Sequence, residues 1–229
     1  MKMNATRMNC LVVGVNSSIG RAIFNFFKAE GHKVIGTTRS KSPDDADVYD
    51  VNFDNDGQVK ELLDKCEKLD AVIFCTGFLP GKSLVDYSDS DLDQVFQANV
   101  MTPMRFLIRL ADKLNTNSSV LFVGSIAGSA GSFDEAYAAS KSALIGLTKS
   151  LAKKSRNGVR YNCISPALID GTSMQKTFSP EIIANHLKQT PTGTLIQLSD
   201  FVRVCYDLCQ PHWGQLNGQV IDINGGRYV

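Results

Sequence analysis

Short runs of β-branched and apolar residues recur along this chain with amphipathic stretches of about ten or more residues between them, and that alternation constrains the fold most. The spacing predicts strands at Cys10 to Val13, Lys33 to Thr37, Val48 to Val51, Ala71 to Cys75, Ser119 to Val123, Val159 to Ile164 and Gln219 to Ile223. Helices are predicted at Gly20 to Glu30, Gln58 to Lys68, Asp91 to about Leu114, Ala136 to Lys154 and Ser199 to Cys209. Strands joined through helices must run parallel, so the fold class is α/β: a doubly wound sheet in three α/β/α layers. No linker divides the 229 residues, and a single domain spanning 1–229 is expected. Residues 167–196 carry Gly171, Pro180, Pro191 and Gly193 around one short helical segment, Glu181 to Leu187. Such an excursion inside a compact domain reads as a lid over a site.

With 24 Lys+Arg against 23 Asp+Glu, the net charge of +1 gives no global field for nucleic acid or an anionic membrane, so a small-molecule partner is expected. Cys10, Cys66, Cys75, Cys163, Cys205 and Cys209 form no C-x-x-C pair, which argues against a metal site. Reduced thiols imply a cytoplasmic location. Met1 to Asn9 is polar, and no apolar run approaches the ~20 residues a bilayer requires, so a soluble, untargeted protein is expected.

Gly14-Val15-Asn16-Ser17-Ser18-Ile19-Gly20 falls where the first strand meets the first helix. Small residues there let a pyrophosphate approach the unpaired N–H groups of the helix end. A plain strand-to-helix turn is the alternative reading. The second strand ends in Thr37-Thr38-Arg39, with Lys41 further out and no acid nearby. An Arg at this place accepts a 2′-phosphate, whereas an acid would hold a free ribose hydroxyl, so NADP(H) is favoured over NAD(H). A solvated Arg39 is the alternative. Tyr137 and Lys141 stand at i and i+4 and share a helix face, where an ammonium would pull a phenol pKa down toward neutrality. Ser125, just past a strand, can reach the same point. Tyr and Lys so spaced are alone a common surface feature; the ordered Ser and glycine loop make the set distinctive.

These segments resemble the short-chain dehydrogenase/reductase family, whose plan is followed from Asn9 to Tyr228. Val13 to Gly20 resembles its glycine motif, Phe74 to Gly77 its N-N-A-G, Asn99 its active Asn, and Ser125, Tyr137 and Lys141 its Ser and Y-x-x-x-K. Arg160 to Pro166 and Gly218 to Gly226 resemble its later signatures. The resemblance implies a Rossmann-type fold and an NADPH-dependent oxidoreductase that reduces a carbonyl to an alcohol. Tyr137 would donate the proton, Ser125 would hold the substrate oxygen, Lys141 would also hold the nicotinamide ribose, and Asn99 would hold a water. The cofactor contacts it implies are Gly14, Asn16, Ser17, Ser18, Ile19, Gly20, Thr38 and Arg39, with Asp50 and Val51 at the adenine, Gly77, Tyr137, Lys141, Pro166, and Ile169 with Thr172 at the carboxamide. Val13 and Ser18 stand where the family has Thr and its middle Gly, Phe74-Cys75-Thr76 where it has N-N-A, and Ala167 where it has Gly. The Ser18 Cβ is expected to crowd the phosphates.

Thr190 to Gly193 and the chain's brevity resemble the 3-oxoacyl-carrier-protein reductases, and Lys153, Lys154 and Arg156 could face an acidic carrier protein. Alternatives are action on a sugar or another small alcohol or ketone, and a non-catalytic NADPH-binding scaffold. An S-adenosylmethionine-dependent transferase would share the sheet but has no use for Y-x-x-x-K. Members of the family are commonly tetramers, so a homotetramer or homodimer is implied. Phe96, Met101, Phe106, Leu144 and Leu147 are apolar residues that a monomer would partly expose.

Overall fold

The computed structural model describes residues 7–39 and 45–228, so Lys41 and most of the polar N-terminal stretch lie outside the described residues. Seven strands form one parallel sheet: β1 (Asn9–Val13), β2 (Lys33–Thr38), β3 (Val48–Asp50), β4 (Leu69–Phe74), β5 (Leu114–Val123), β6 (Arg160–Pro166) and β7 (Val220–Ile223). Their spatial order is β3-β2-β1-β4-β5-β6-β7. Buried on both faces, β1 and β4 read as continuous apolar runs, as a covered parallel strand must.

One layer holds α1 (Ser18–Ala29) and α9 (Leu198–Cys209), where Ile23, Phe24, Phe27, Phe201 and Cys205 fill the core with Cys10 and Val12 of β1. The opposite core joins α2 (Asp56–Lys65), α4 (Thr102–Leu110) and α6 (Glu135–Lys153) to Leu11, Val13, Val72, Phe74, Val120 and Phe122 of the sheet. All six cysteines are free and buried.

The predicted helix from Asp91 to Leu114 is broken. It comprises α3 (Asp89–Phe96), a π-type turn over Gln97–Met101 and then α4, and Leu114 already belongs to β5. Pro103 explains the break: it has no N–H to donate, and its ring would strike the carbonyl four residues back, that of Asn99. The turn widens just before it, with Thr102 N–H reaching back to Gln97 O. The short α5 (Ala127–Ala130) escaped the periodicity because one turn is too brief to show a period. The 167–196 excursion holds two helices, α7 (Ser173–Lys176) and α8 (Pro180–Lys188), where only one was expected.

Phe106 and Leu144, read from sequence as apolar residues outside the core, are 1% and 2% exposed. Leu147 packs against the same core, while Phe96 and Met101 do face outward, joined by Met104 and Ile108. Among the described residues no helix is long and apolar enough to cross a membrane.

Helix α6 starts at a buried carboxylate. Asp134 is its N-cap and accepts from Tyr137 N–H at 2.9 Å, Tyr87 O–H at 2.6 Å, Gly81 N–H at 3.0 Å and Lys82 N–H at 3.3 Å. One side chain thus caps the helix and ties down the loop after β4. Replacing an N-cap costs about 0.5–2 kcal/mol, and each buried donor left unpaired adds roughly 1–3 kcal/mol. Asp134→Ala is therefore expected to lower unfolding free energy by about 2–5 kcal/mol in urea titration, and Asp134→Asn by less. A loss under about 0.5 kcal/mol would show that water replaces these contacts without cost.

Candidate active site

In an open α/β sheet the binding crevice lies beyond the carboxyl ends of the strands, where the strand order reverses. Here that point is between β1 and β4. Gly14, at φ +97°, turns the chain out of β1, and a Cβ there would stand 3.1 Å from Cys75 C and Thr76 N. A Cβ on Gly20 would meet Gly14 O at 2.3 Å, so loop and helix close up only with glycine at both places. Gly14 and Val15 N–H donate to Thr37 O at 3.0 and 2.9 Å, binding the loop to β2. Ser17 caps α1: its Oγ accepts from Gly20 N–H at 2.9 Å and donates to Gly14 O at 2.9 Å. The N–H groups of Ser18 and Ile19 are then the first-turn donors without an intrahelical acceptor, Asn16 is exposed beside them, and Ile19 packs partly on the core. Such a loop fits a pyrophosphate.

Ser18 Oγ lies 2.8 Å from Ser173 Oγ and accepts from Ser173 N–H at 3.0 Å. The side chain expected to crowd the phosphates is bonded across to the start of α7. On the far rim Thr38 is buried at the end of β2 and Arg39 is exposed beside it. Val51 N–H donates to Thr38 O at 2.8 Å, which sets buried Val51 and exposed Asp50 on the same edge. Phe74, where the family has an Asn, stacks on Phe122 with centroids 5.3 Å apart, so an aromatic pair braces the sheet in place of an amide.

The structure brings Ser125, Tyr137, Lys141 and Asn99 together past the ends of β4 and β5. Lys141 is 4% exposed, and its Nζ donates to Val123 O at 2.9 Å and lies 5.7 Å from the Tyr137 ring centroid. A Cβ on Gly77 would sit 3.5 Å from that Nζ and 3.7 Å from Asn99 Oδ1, so Gly77 borders the same group. Asn99, on the widened turn, accepts from Phe78 N–H at 2.7 Å and donates to Phe78 O at 3.1 Å and Ser140 Oγ at 2.8 Å. Both amide hydrogens are thus committed to protein. A water at Asn99 would have to bind the remaining Oδ1 lone pair or the main-chain carbonyl. Ser140 in turn donates to Tyr137 O at 2.7 Å, linking the turn to the first turn of α6.

The expected lowering of the Tyr137 pKa does not occur in the protein alone. Burial pushes the phenol up to about 12, and a hydrogen bond with Ser125 offsets this only in part. Burial also brings Lys141 down to about 8. Each group is therefore moved toward its neutral form, because the low-dielectric site disfavours either charge. Tyr137 is protonated throughout the neutral range, as a proton donor must be.

Ser125 and Tyr137 line a cavity of about 210 Å³ with Pro166, to which the 167–196 excursion contributes Met174 and Phe178. Isolated pairing of Ile169 with Ile196 and the bond from Asp170 N–H to Ile196 O, 2.9 Å, join the two ends of that excursion. Thr172 caps α7 and its Oγ1 donates to Ile169 O at 2.9 Å, which occupies that carbonyl. Sequence reasoning missed Asp134, Ser140, His186 and Arg227. An Asp three residues before the Tyr is an N-cap signal that was there to be read; nothing local marks Arg227. Among the described residues no group of three or more His, Cys, Asp or Glu could hold a metal ion.

A family model described as enoyl-(acyl carrier protein) reductase matches residues 14–227. The 3-oxoacyl-[acyl-carrier-protein] reductase FabG of Escherichia coli K12 is 26% identical over 99% of this chain and 100% of its own length. The FabG of Thermotoga maritima is 28% identical, covering 96% of this chain and 97% of that one. Among solved structures, a short-chain dehydrogenase/reductase titled glucose/ribitol dehydrogenase from Brucella melitensis superposes with a TM-score of 0.89, at 24% identity and full coverage of both chains. A short chain dehydrogenase family protein from Francisella tularensis gives 0.85 at 22% identity, over 97% of this chain and 99% of that one. The structural likeness carries the fold, and the family model carries the rest: the chain belongs to the short-chain dehydrogenase/reductase family of oxidoreductases, which bind a nicotinamide cofactor.

Proposed function

We propose that this protein reduces a carbonyl to an alcohol with NADPH, and the observation that carries the reading is the buried, protonated Tyr137, which lines one small cavity with Ser125 and has the Lys141 ammonium 5.7 Å from its ring centroid. When bound, NADPH supplies the hydride. The residues that would hold it are the loop Gly14 to Gly20, Thr38 and Arg39 at the ribose phosphate, Asp50 and Val51 at the adenine, Gly77, Lys141, Pro166, Ile169 and Thr172. Tyr137 gives its O–H proton to the carbonyl oxygen as negative charge develops there. Ser125 donates a hydrogen bond to that oxygen. Lys141, fixed through Val123 O, lies close enough to stabilise the phenolate that Tyr137 becomes. Asn99 and Ser140 hold the loop after β4 against α6, and so keep the donor in register.

The names of its relatives suggest a 3-oxoacyl group as one substrate class, and the exposed Lys153, Lys154 and Arg156 at the end of α6 suit a carrier protein's acidic face. A cavity of 210 Å³ is below the roughly 300–1,000 Å³ of drug-sized ligand sites, so it takes a small carbonyl compound or the reacting end of a larger one. We place the protein in the cytoplasm, where six free buried thiols stay reduced.

Tyr137→Phe keeps the ring and removes the proton donor, so turnover of ketone by NADPH is expected to fall at least ~100-fold with NADPH binding nearly unchanged. Retention of most of the activity would overturn the mechanism, and no NADPH oxidation with acyl thioesters, quinones or keto-sugars would favour a non-catalytic scaffold.

Cofactor choice rests on Arg39. A charge-assisted hydrogen bond is worth about 1.5–3 kcal/mol, so kcat/KM is expected to favour NADPH roughly 10- to 150-fold. Thr38 is only 2% exposed, so a carboxylate placed there would suffer burial as well as repel phosphate. Arg39→Ala is the cleaner substitution and should bring the ratio close to one; equal efficiencies in the unmodified protein would place Arg39 in solvent.

Assembly is expected through the outward face of α3 and α4, where Phe96, Met101, Met104 and Ile108 are exposed. Sedimentation at micromolar concentration should show a dimer or tetramer, and Ile108→Glu should weaken it. A stable monomer would remove this surface from consideration.

A further inference from the structure

Arg227 lines the cavity that holds Ser125 and Tyr137, and no aspartate or glutamate lines that cavity with it. Its guanidinium meets only neutral acceptors: Nη1 contacts His186 Nδ1, and Nη2 donates to Gln189 Oε1 at 2.6 Å. Nε is buried with no hydrogen-bond partner, and among the described residues Arg227 makes no ion pair. Asp200, which lines the neighbouring cavity behind His186, is not joined to it. A guanidinium has five N–H donors in a fixed fork, and two are accounted for. Arg227 is half-buried, but its Nε is withdrawn from water, and an N–H so placed without an acceptor calls for an explanation.

The placement is built, not incidental. Asn224 clamps the chain end, donating to Tyr228 O at 2.6 Å and accepting from Gly226 N–H at 2.8 Å, while Arg227 N–H donates to Asn224 O at 3.1 Å. The guanidinium lies 5.5 Å from the Tyr228 ring centroid. His186 stacks on Phe178 with centroids 6.3 Å apart and planes 13° from parallel. Accepting at Nδ1 from a permanent cation, His186 is neutral with its proton on Nε2, and burial beside Arg227 lowers its pKa in the same sense.

We infer that Arg227, set by His186 and Gln189, receives the carboxylate of the substrate, so that the preferred substrates are small carbonyl compounds carrying an acid group, oriented with the carbonyl at Tyr137 and the carboxylate at the chain end. The planar fork suits a carboxylate in two-point contact, and the substrate supplies the counter-ion that Arg227 lacks among the described residues. This deepens the carbonyl-reductase reading and rests on it. A neutral analogue leaves the guanidinium without a charged partner, and so is discriminated against.

The test compares 4-oxopentanoate with its methyl ester as substrates, using NADPH and the full chain, in the unmodified protein and in Arg227→Met and Arg227→Lys. The ratio of kcat/KM for acid over ester is expected to be about 10- to 100-fold, the worth of a hydrogen-bonded charge. It should fall toward one in Arg227→Met and lie between in Arg227→Lys, which keeps charge without the fork. Calorimetric binding of pentanoate, which cannot be reduced, should weaken in parallel. An ester turned over as well as the acid, or a ratio indifferent to both substitutions, overturns the assignment while leaving carbonyl reduction standing. No turnover of either compound, with pentanoate binding that depends on Arg227, overturns the reductase reading and keeps the carboxylate site. No turnover and no Arg227-dependent binding overturns both.

Discussion

A lysine ammonium withdrawn from water at the carboxyl end of the sheet sets the terms for everything around it. Lys141 has one hydrogen bond, to Val123 O, and among the described residues no carboxylate pairs with it. Around that cation α5 presses closely on α6 and the end of β5 on β6, and glycine makes both approaches possible. A Cβ on Gly128 would stand 2.8 Å from Lys141 C, and one on Gly124 would stand 2.6 Å from Cys163 Sγ. Neither neighbour is the free end of a flexible side chain, so substitution would move β5, α5 or α6 apart and admit water to the amine. The same burial that moves Lys141 toward neutrality holds Tyr137 protonated.

That arrangement has a consequence for the proposed chemistry. Two neighbouring groups, both biased toward their uncharged forms, avoid a standing ion pair in the ground state. Charge appears on the tyrosine only as its proton leaves, at the moment when a nearby ammonium is most valuable. Preorganisation then depends on the scaffold holding both groups still. Asp134 fixes the amide of Tyr137, Ser140 bonds to its carbonyl, and Asn99 ties Ser140 to the loop after β4, so the first turn of α6 is bound on two sides by side chains that touch no substrate.

The fold was legible because its signals are local and repeated: alternating periods marked where each of the seven strands lies along the chain, and Gly14, Ser17 and Gly20 lie in sequence as they act in space. Tyr137 and Lys141 were legible for the same reason, since four residues along a helix fix their relation. The break at Pro103 was written in the sequence as well, but the apolar period continues across it and masks it. What could not be read depends on residues distant in the chain. Whether Phe106 and Leu144 face core or surface is decided by how α4 and α6 sit against the sheet, and Arg227 is fixed at the cavity by His186 and Gln189 of the segment some forty positions earlier. The tyrosine pKa belongs to the same class: spacing puts the lysine nearby, and only burial, a property of the whole packing, decides which term prevails.

The 167–196 excursion is the least secured part of this assembly, and the nature of its contacts shows why. Neither α7 nor α8 contains a buried residue, so apolar burial contributes little to keeping them in place. Their attachment comes from the Ile169–Ile196 pairing at the root, Ser173 against Ser18 at one end, and Arg227 with His186 and Gln189 at the other. Exposed hydrogen bonds such as the serine pair are worth about 0.5–1.5 kcal/mol each at most, less than the free energy that holds the sheet together. Residues 167–196 are therefore held less firmly than the sheet. Two of their attachments, Ser173 to Ser18 and His186 with Gln189 to Arg227, border the glycine loop and the cavity that contains Tyr137.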